Sequence, residues 1–180
     1  NWNGLNSERH SKSWGKSSMA YLKIRHKELE GYSNGKYHDD NSFCDVIGYV
    51  MRPEKTPSGY IGGIAVDVAH AVEQMEKLSA YYGQNTGVRL RHMILAFEPG
   101  ELSNSRKYAL SIAYQVAYPI ALFYGDHHQI VYAVHEDGAK VHIHFVMNTT
   151  NYLTGLKYPG SRADYYQFLS HTNQVLADYN

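Results

Sequence analysis

The chain has 180 residues, 43% of them hydrophobic and 19% charged, a size and composition that fit one ordered globular domain and exclude disordered and fibrous classes. Seventeen Lys and Arg balance seventeen Asp and Glu, which excludes a polyanion-coating protein driven by bulk positive charge; any nucleic-acid contact must be local. The one cysteine, Cys44, excludes an intrachain disulfide and a cysteine-cluster metal site, and suits a reducing compartment.

Residues 1–18 are rich in Ser and Asn and carry neither a periodic apolar face nor the apolar centre of a signal peptide, so they are expected to be a polar tail or an extension. The domain is expected over residues 19–180. Residues 20–25 alternate in period two and predict a strand. Residues 28–41, with Gly31, Gly35 and several acids, predict a polar loop. The apolar run 43–51 predicts a short helix stopped by Pro53. A short strand is expected at Tyr60 and Ile61, bracketed by Pro57, Gly59, Gly62 and Gly63.

Asp67 is placed to cap a helix over 68–82, whose Val68, Ala71, Val72, Met75 and Leu78 fall on one face. Residues 88–97 predict a strand closed by Pro99 and Gly100. A second long helix is expected from Ser103 to about Ala117, with Pro119 near its end. Runs 129–135 and 141–148 predict paired strands around a turn at Asp137, Gly138, Ala139 and Lys140. An amphipathic helix over 162–179 closes the chain. The late hairpin, and the absence of a Gly-rich βαβ fingerprint, favour an antiparallel sheet with packed helices, an α+β fold. No apolar stretch approaches the roughly 20 residues of a membrane span.

Of the eleven histidines, three are set to converge. His142 and His144 are two apart on a strand and share a face, while Val141, Ile143 and Phe145 point to the other, toward the helices. A turn over 137–140 pairs Glu136 with Val141 and sets His135 opposite His142, with Cβ atoms about 5 Å apart. Three imidazoles can then hold one divalent ion with positions left open. The spacing fits neither the metallo-β-lactamase pattern, since Val146 and Met147 stand where Asp and His are wanted, nor a cupin, which needs a following Glu. Amidohydrolase barrels are too large for this chain.

The residues His135, Asp137, His142 and His144 match without a gap a pattern of His-x-Asp, four residues, then His-x-His. With it, the chain resembles the HUH endonucleases, and specifically the relaxase/mobilisation nuclease family of conjugative plasmids and integrative elements. A second match is Tyr49 followed by Val50, Met51, Arg52, Pro53, Glu54, Lys55 and Thr56. A weaker third runs from Arg91 and His92 to Pro99, Gly100 and Glu101, with Ala96 where Ser is usual. The resemblance implies a five-stranded antiparallel sheet, a divalent metal (Mn or Mg in use, with Zn, Co or Ni also suited to imidazole donors), and single-stranded or hairpin DNA at an origin of transfer as substrate.

On that resemblance Tyr49 is the nucleophile, forming a 5′-phosphotyrosine that allows the strand to be rejoined. His135, His142 and His144 are the metal ligands, and His92 is a candidate helper for the phenol. Asp137 is either a turn residue or an acceptor that orients a ligand imidazole. Arg52, Lys55, Arg89 and Arg91 are candidate phosphate contacts. Tyr165 and Tyr166 are the rival nucleophiles of the alternative within the superfamily, a rolling-circle replication initiator or transposase. A non-catalytic, metal-stabilised DNA-binding domain is the alternative outside enzymes. The resemblance further implies a bacterial cytoplasmic protein, accessory mobilisation proteins as partners, and a nuclease domain belonging to a longer chain.

Overall fold

The computed structural model describes residues 20–25, 37, 40–57, 59–138 and 140–179; the tail 1–18 and most of the loop over 28–41 lie outside the described residues. The elements, in chain order, are β1 (Tyr21–Arg25), α1 (Ser42–Val50), β2 (Ile61–Ile64), a 3₁₀ turn at Val68–His70, α2 (Ala71–Tyr81), β3 (Leu90–Phe97), α3 (Arg106–Gly125), β4 (His128–Asp137), β5 (Lys140–Asn151) and α4 (Arg162–Asp178). The five strands form one sheet in the order β1-β3-β5-β4-β2, and every neighbouring pair is antiparallel. Among the described residues, no helix is long and apolar enough to cross a membrane.

Sheet pleating separates two cores. On one face Met93, Leu95, Phe97, Val134, Ile143, Phe145 and Met147 pack against Ala113, Val116, Ile120 and Tyr124 of α3 and Phe168, Val175 and Leu176 of α4. On the other, Leu90, Val131, Ala133 and Val146 meet Phe43, Val46, Ile47 and Val50 of α1 and Ala71 and Met75 of α2. The sequence pattern points Val141, Ile143 and Phe145 toward the helices. The histidine side is covered as well, because α1 presents its own apolar stripe at helical spacing, and the histidines end up inside rather than on an open sheet.

Three further differences have local causes. Helix α3 starts at Arg106 and runs through Pro119 to Gly125, past the stop expected near Ala117. An interior proline costs about 3 kcal/mol, but the turn beyond it buries Ile120, Ala121 and Tyr124, at about 1.5–3 kcal/mol for a large side chain. Strand β2 continues through Gly62 and Gly63 instead of ending before them. Gly62 lies directly against the Tyr132 ring, so the strand needs a residue without a side chain there. The helix expected over 68–82 divides into the 3₁₀ turn, capped by Asp67 accepting from Ala69 N at 3.0 Å, and α2 proper.

Candidate active site

The hairpin sets the histidines. Asp137 pairs with Lys140, Glu136 with Val141 and His135 with His142, while His144 faces Ala133. A slip of one residue would turn His135 to the other face; in this register the ring centroids of His135 and His142 lie 5.3 Å apart, those of His135 and His144 4.1 Å, and those of His142 and His144 4.9 Å. One nitrogen from each falls within 4.8 Å of the others. His135 and His144 are 1% exposed, and His142 is half-buried. Three converging imidazoles are a donor set that fits a divalent transition metal, and they could hold one with positions left open for substrate oxygen.

Two contacts orient this set. His135 Nε2 donates to the Val50 carbonyl at 2.5 Å; since a carbonyl only accepts, the proton sits on Nε2 and Nδ1 carries the lone pair. Burial, with the positive charges of Arg52 and Lys55 adding to it, holds the His135 pKa below the usual histidine range and keeps the ring neutral. His144 Nδ1 lies 2.7 Å from Nε2 of His92, which is wholly buried.

Helix α1 delivers the phenol. Its buried stripe of Phe43, Val46, Ile47 and Val50 docks on the sheet and leaves Tyr49 half-buried at the flank. There the Tyr49 ring centroid is 5.9 Å from that of His144 and 6.2 Å from that of His135. The Arg52 guanidinium lies over the phenol, 4.3 Å from its centroid. The end of α1 is fixed by Thr56, whose hydroxyl donates to the Val50 carbonyl at 3.1 Å. One carbonyl therefore ties the helix end, the following turn and His135 together, one residue after Tyr49.

The other candidates divide by location. Lys55 Nζ bonds Asp137 Oδ1 at 3.0 Å, and this bond holds the Asp137 carboxyl below its usual range, with the charge of His142 adding to it. Arg89 is buried at the start of β3, 3.4 Å from Asp40 and 5.2 Å from the Phe43 ring centroid. Arg91 points to the opposite face of the sheet from His92, where it meets the Tyr158 hydroxyl and lies 3.8 Å from Asp164. Tyr165 packs on the α3 side and Tyr166 is exposed on α4, so neither shares the histidine face. Sequence reasoning missed the bracing roles of Val50 and Thr56. The Pro53-Glu54-Lys55-Thr56 turn was the available signal, since a buried Thr after a helix stop must find an acceptor.

Comparison with known proteins places the chain in a family. The family model for the MobA/VirD2-like nuclease domain of relaxases matches residues 49–180. Two relatives from Staphylococcus aureus, each named Protein rlx, are 29% identical: one over 143 residues, covering 79% of this chain and 41% of the relative, the other over 127 residues, covering 71% and 37%. The chain thus spans about two fifths of the length of the curated relatives it matches. With the matched region running from Tyr49 on α1 through the histidine hairpin to α4, the chain belongs to the MobA/VirD2-like relaxase nuclease-domain family.

Proposed function

We propose that this domain is a metal-dependent relaxase that nicks single-stranded DNA at an origin of transfer and rejoins it, in conjugative mobilisation within the bacterial cytoplasm. The observation that carries the reading is the half-buried Tyr49 phenol 5.9 Å from His144 and 6.2 Å from His135, ring to ring, with Arg52 over its face. Tyr49 attacks the scissile phosphorus; the bond from its oxygen to phosphorus forms as the bond to the 3′ oxygen breaks. The phenolic proton passes to solvent or a nearby base, and the departing 3′ oxygen ends as a hydroxyl. Because the phosphodiester energy is kept in the 5′-phosphotyrosine, a 3′ hydroxyl can reverse the step and seal the strand.

His135, His142 and His144 would hold a divalent cation, which would supply Lewis-acid stabilisation of the charge that builds on the phosphate. Arg52 and Lys55 carry positive charge on the turn after Tyr49, where they can meet the phosphates flanking the break. Arg91 is left out of this set, since it lies on the other face of the sheet, beside Tyr158 and Asp164. The overall charge balance implies modest non-specific affinity, with selection resting on base contacts and hairpin shape.

Labelled single-stranded origin DNA and Mn²⁺ should give a protein–DNA adduct stable to denaturant. Tyr49→Phe should abolish it, and Tyr166→Phe should leave it. Loss in Tyr166→Phe with retention in Tyr49→Phe would transfer the reading to a rolling-circle initiator or transposase. Metal binding with no adduct from the wild type would leave a non-catalytic DNA-binding domain.

A further inference from the structure

The contact between His92 and His144 gives a buried side chain a task distinct from helping the phenol. His92 lies on β3 opposite Val146, with Ile94 opposite His144, so the two imidazoles are diagonal neighbours on one face. Diagonal neighbours are within reach of long and aromatic side chains. Their rings stack at 5.0 Å, and the nitrogens meet at 2.7 Å. His92 Nδ1 faces the Tyr37 hydroxyl at 3.5 Å. The rings of His135 and His144 neighbour Tyr49 on this face.

A neutral imidazole has one donor nitrogen and one acceptor. Were His92 Nε2 to donate to His144 Nδ1, the His144 proton would sit on Nε2 and the ring would have no lone pair left for a metal. With the reverse polarity His92 accepts, its own proton lies on Nδ1 toward Tyr37, and His144 keeps a lone pair on Nε2. We propose that His92 is a positioning residue that accepts from His144 Nδ1 and thereby fixes His144 in its metal-ligating tautomer. The inference rests on reading the three histidines as a metal site. His92 does for His144 what the Val50 carbonyl does for His135, and the two outer partners come from different elements, β3 and α1.

The test compares His92→Gln, whose amide oxygen can accept the same bond, with His92→Phe, which keeps the ring volume and removes the acceptor. Calorimetric titration with Mn²⁺ alone should show affinity lowered about 10–100-fold in His92→Phe, the usual loss for a missing partner behind a metal-binding imidazole. His92→Gln should recover most of it. In the metal-free wild type, two-bond ¹H–¹⁵N spectra should place the His144 proton on Nδ1, and His92→Phe should disperse that signal. Wild-type protein with the proton on Nε2 overturns the proposal, and this needs no variant to fold. So does Mn²⁺ affinity in folded His92→Phe within about threefold of wild type, below the range expected for such a partner. These readouts are separate from DNA cleavage, so a wild type that forms no tyrosine adduct would defeat the strand-transfer reading and leave the role of His92 standing.

Discussion

A buried imidazole is a liability at low pH, and the chain carries one well away from the candidate site. His128 is 6% exposed, and its Nδ1 donates to the Asn148 carbonyl at 2.9 Å. Burial pushes its pKa below the usual 6.5, against the opposing pull of the carbonyl contacts. In the unfolded chain the same ring takes up a proton as pH falls through about 6.5. Between that value and the lower folded pKa the unfolded state binds more protons, so stability is fully present above 6.5 and declines as pH falls, by at most about 1.4 kcal/mol per pH unit for one group. His128→Gln should therefore flatten the loss of unfolding free energy between pH 7 and pH 5. Denaturant melts at the two pH values check this, and an unchanged slope in the variant would assign the pH sensitivity to other groups.

At the scale of elements, two glycines make opposite predictions under the same substitution. A Cβ at Gly62 on β2 would run into the Tyr132 ring, and Tyr132 is itself hemmed in, 6.0 Å from Tyr114 and 6.4 Å from Phe145 between ring centroids. Gly62→Ala should destabilise by about 1–3 kcal/mol, the range for overpacking. A Cβ at Gly48 on α1 meets nothing within 4 Å, so Gly48→Ala should stabilise by about 0.5–1 kcal/mol through helix propensity alone. Paired thermal melts decide both signs.

The same contrast marks what a sequence reveals about elements. The hairpin was legible, with His135 opposite His142, because turn chemistry and period-two alternation are local. So was α1, from its apolar stripe and Pro53. The run of α3 through Pro119 was not, since it depends on what Ile120 and Tyr124 bury against, and neither was the covering of the histidine face, which depends on where α1 docks. His92 was legible as a candidate helper for the phenol; its contact with His144 requires β3 to lie beside β5, a non-local pairing that no run of residues encodes.

For the molecule as a whole, the candidate metal centre is also a fastening. His135 comes from β4 and His142 and His144 from β5, while His135 is braced to α1 through Val50 and His144 to β3 through His92. An ion bound there favours the folded sheet over the open chain, in which the third histidine lies seven residues from the pair and the braces are gone. At a free concentration 100 times the dissociation constant, one site adds about 2.7 kcal/mol, less whatever the unfolded chain binds. For a domain of this size that corresponds to a rise in Tm of about 5–10 °C. Mn²⁺ should produce the rise, a chelator should reverse it, and His142→Ala should remove it. His142 is the ligand to choose because it is only half-buried, so its loss leaves the packing of either core intact. A His142→Ala protein that gained as much from Mn²⁺ as the wild type would place the ion elsewhere, and the convergence of three imidazoles would then be a feature of the core rather than of the chemistry.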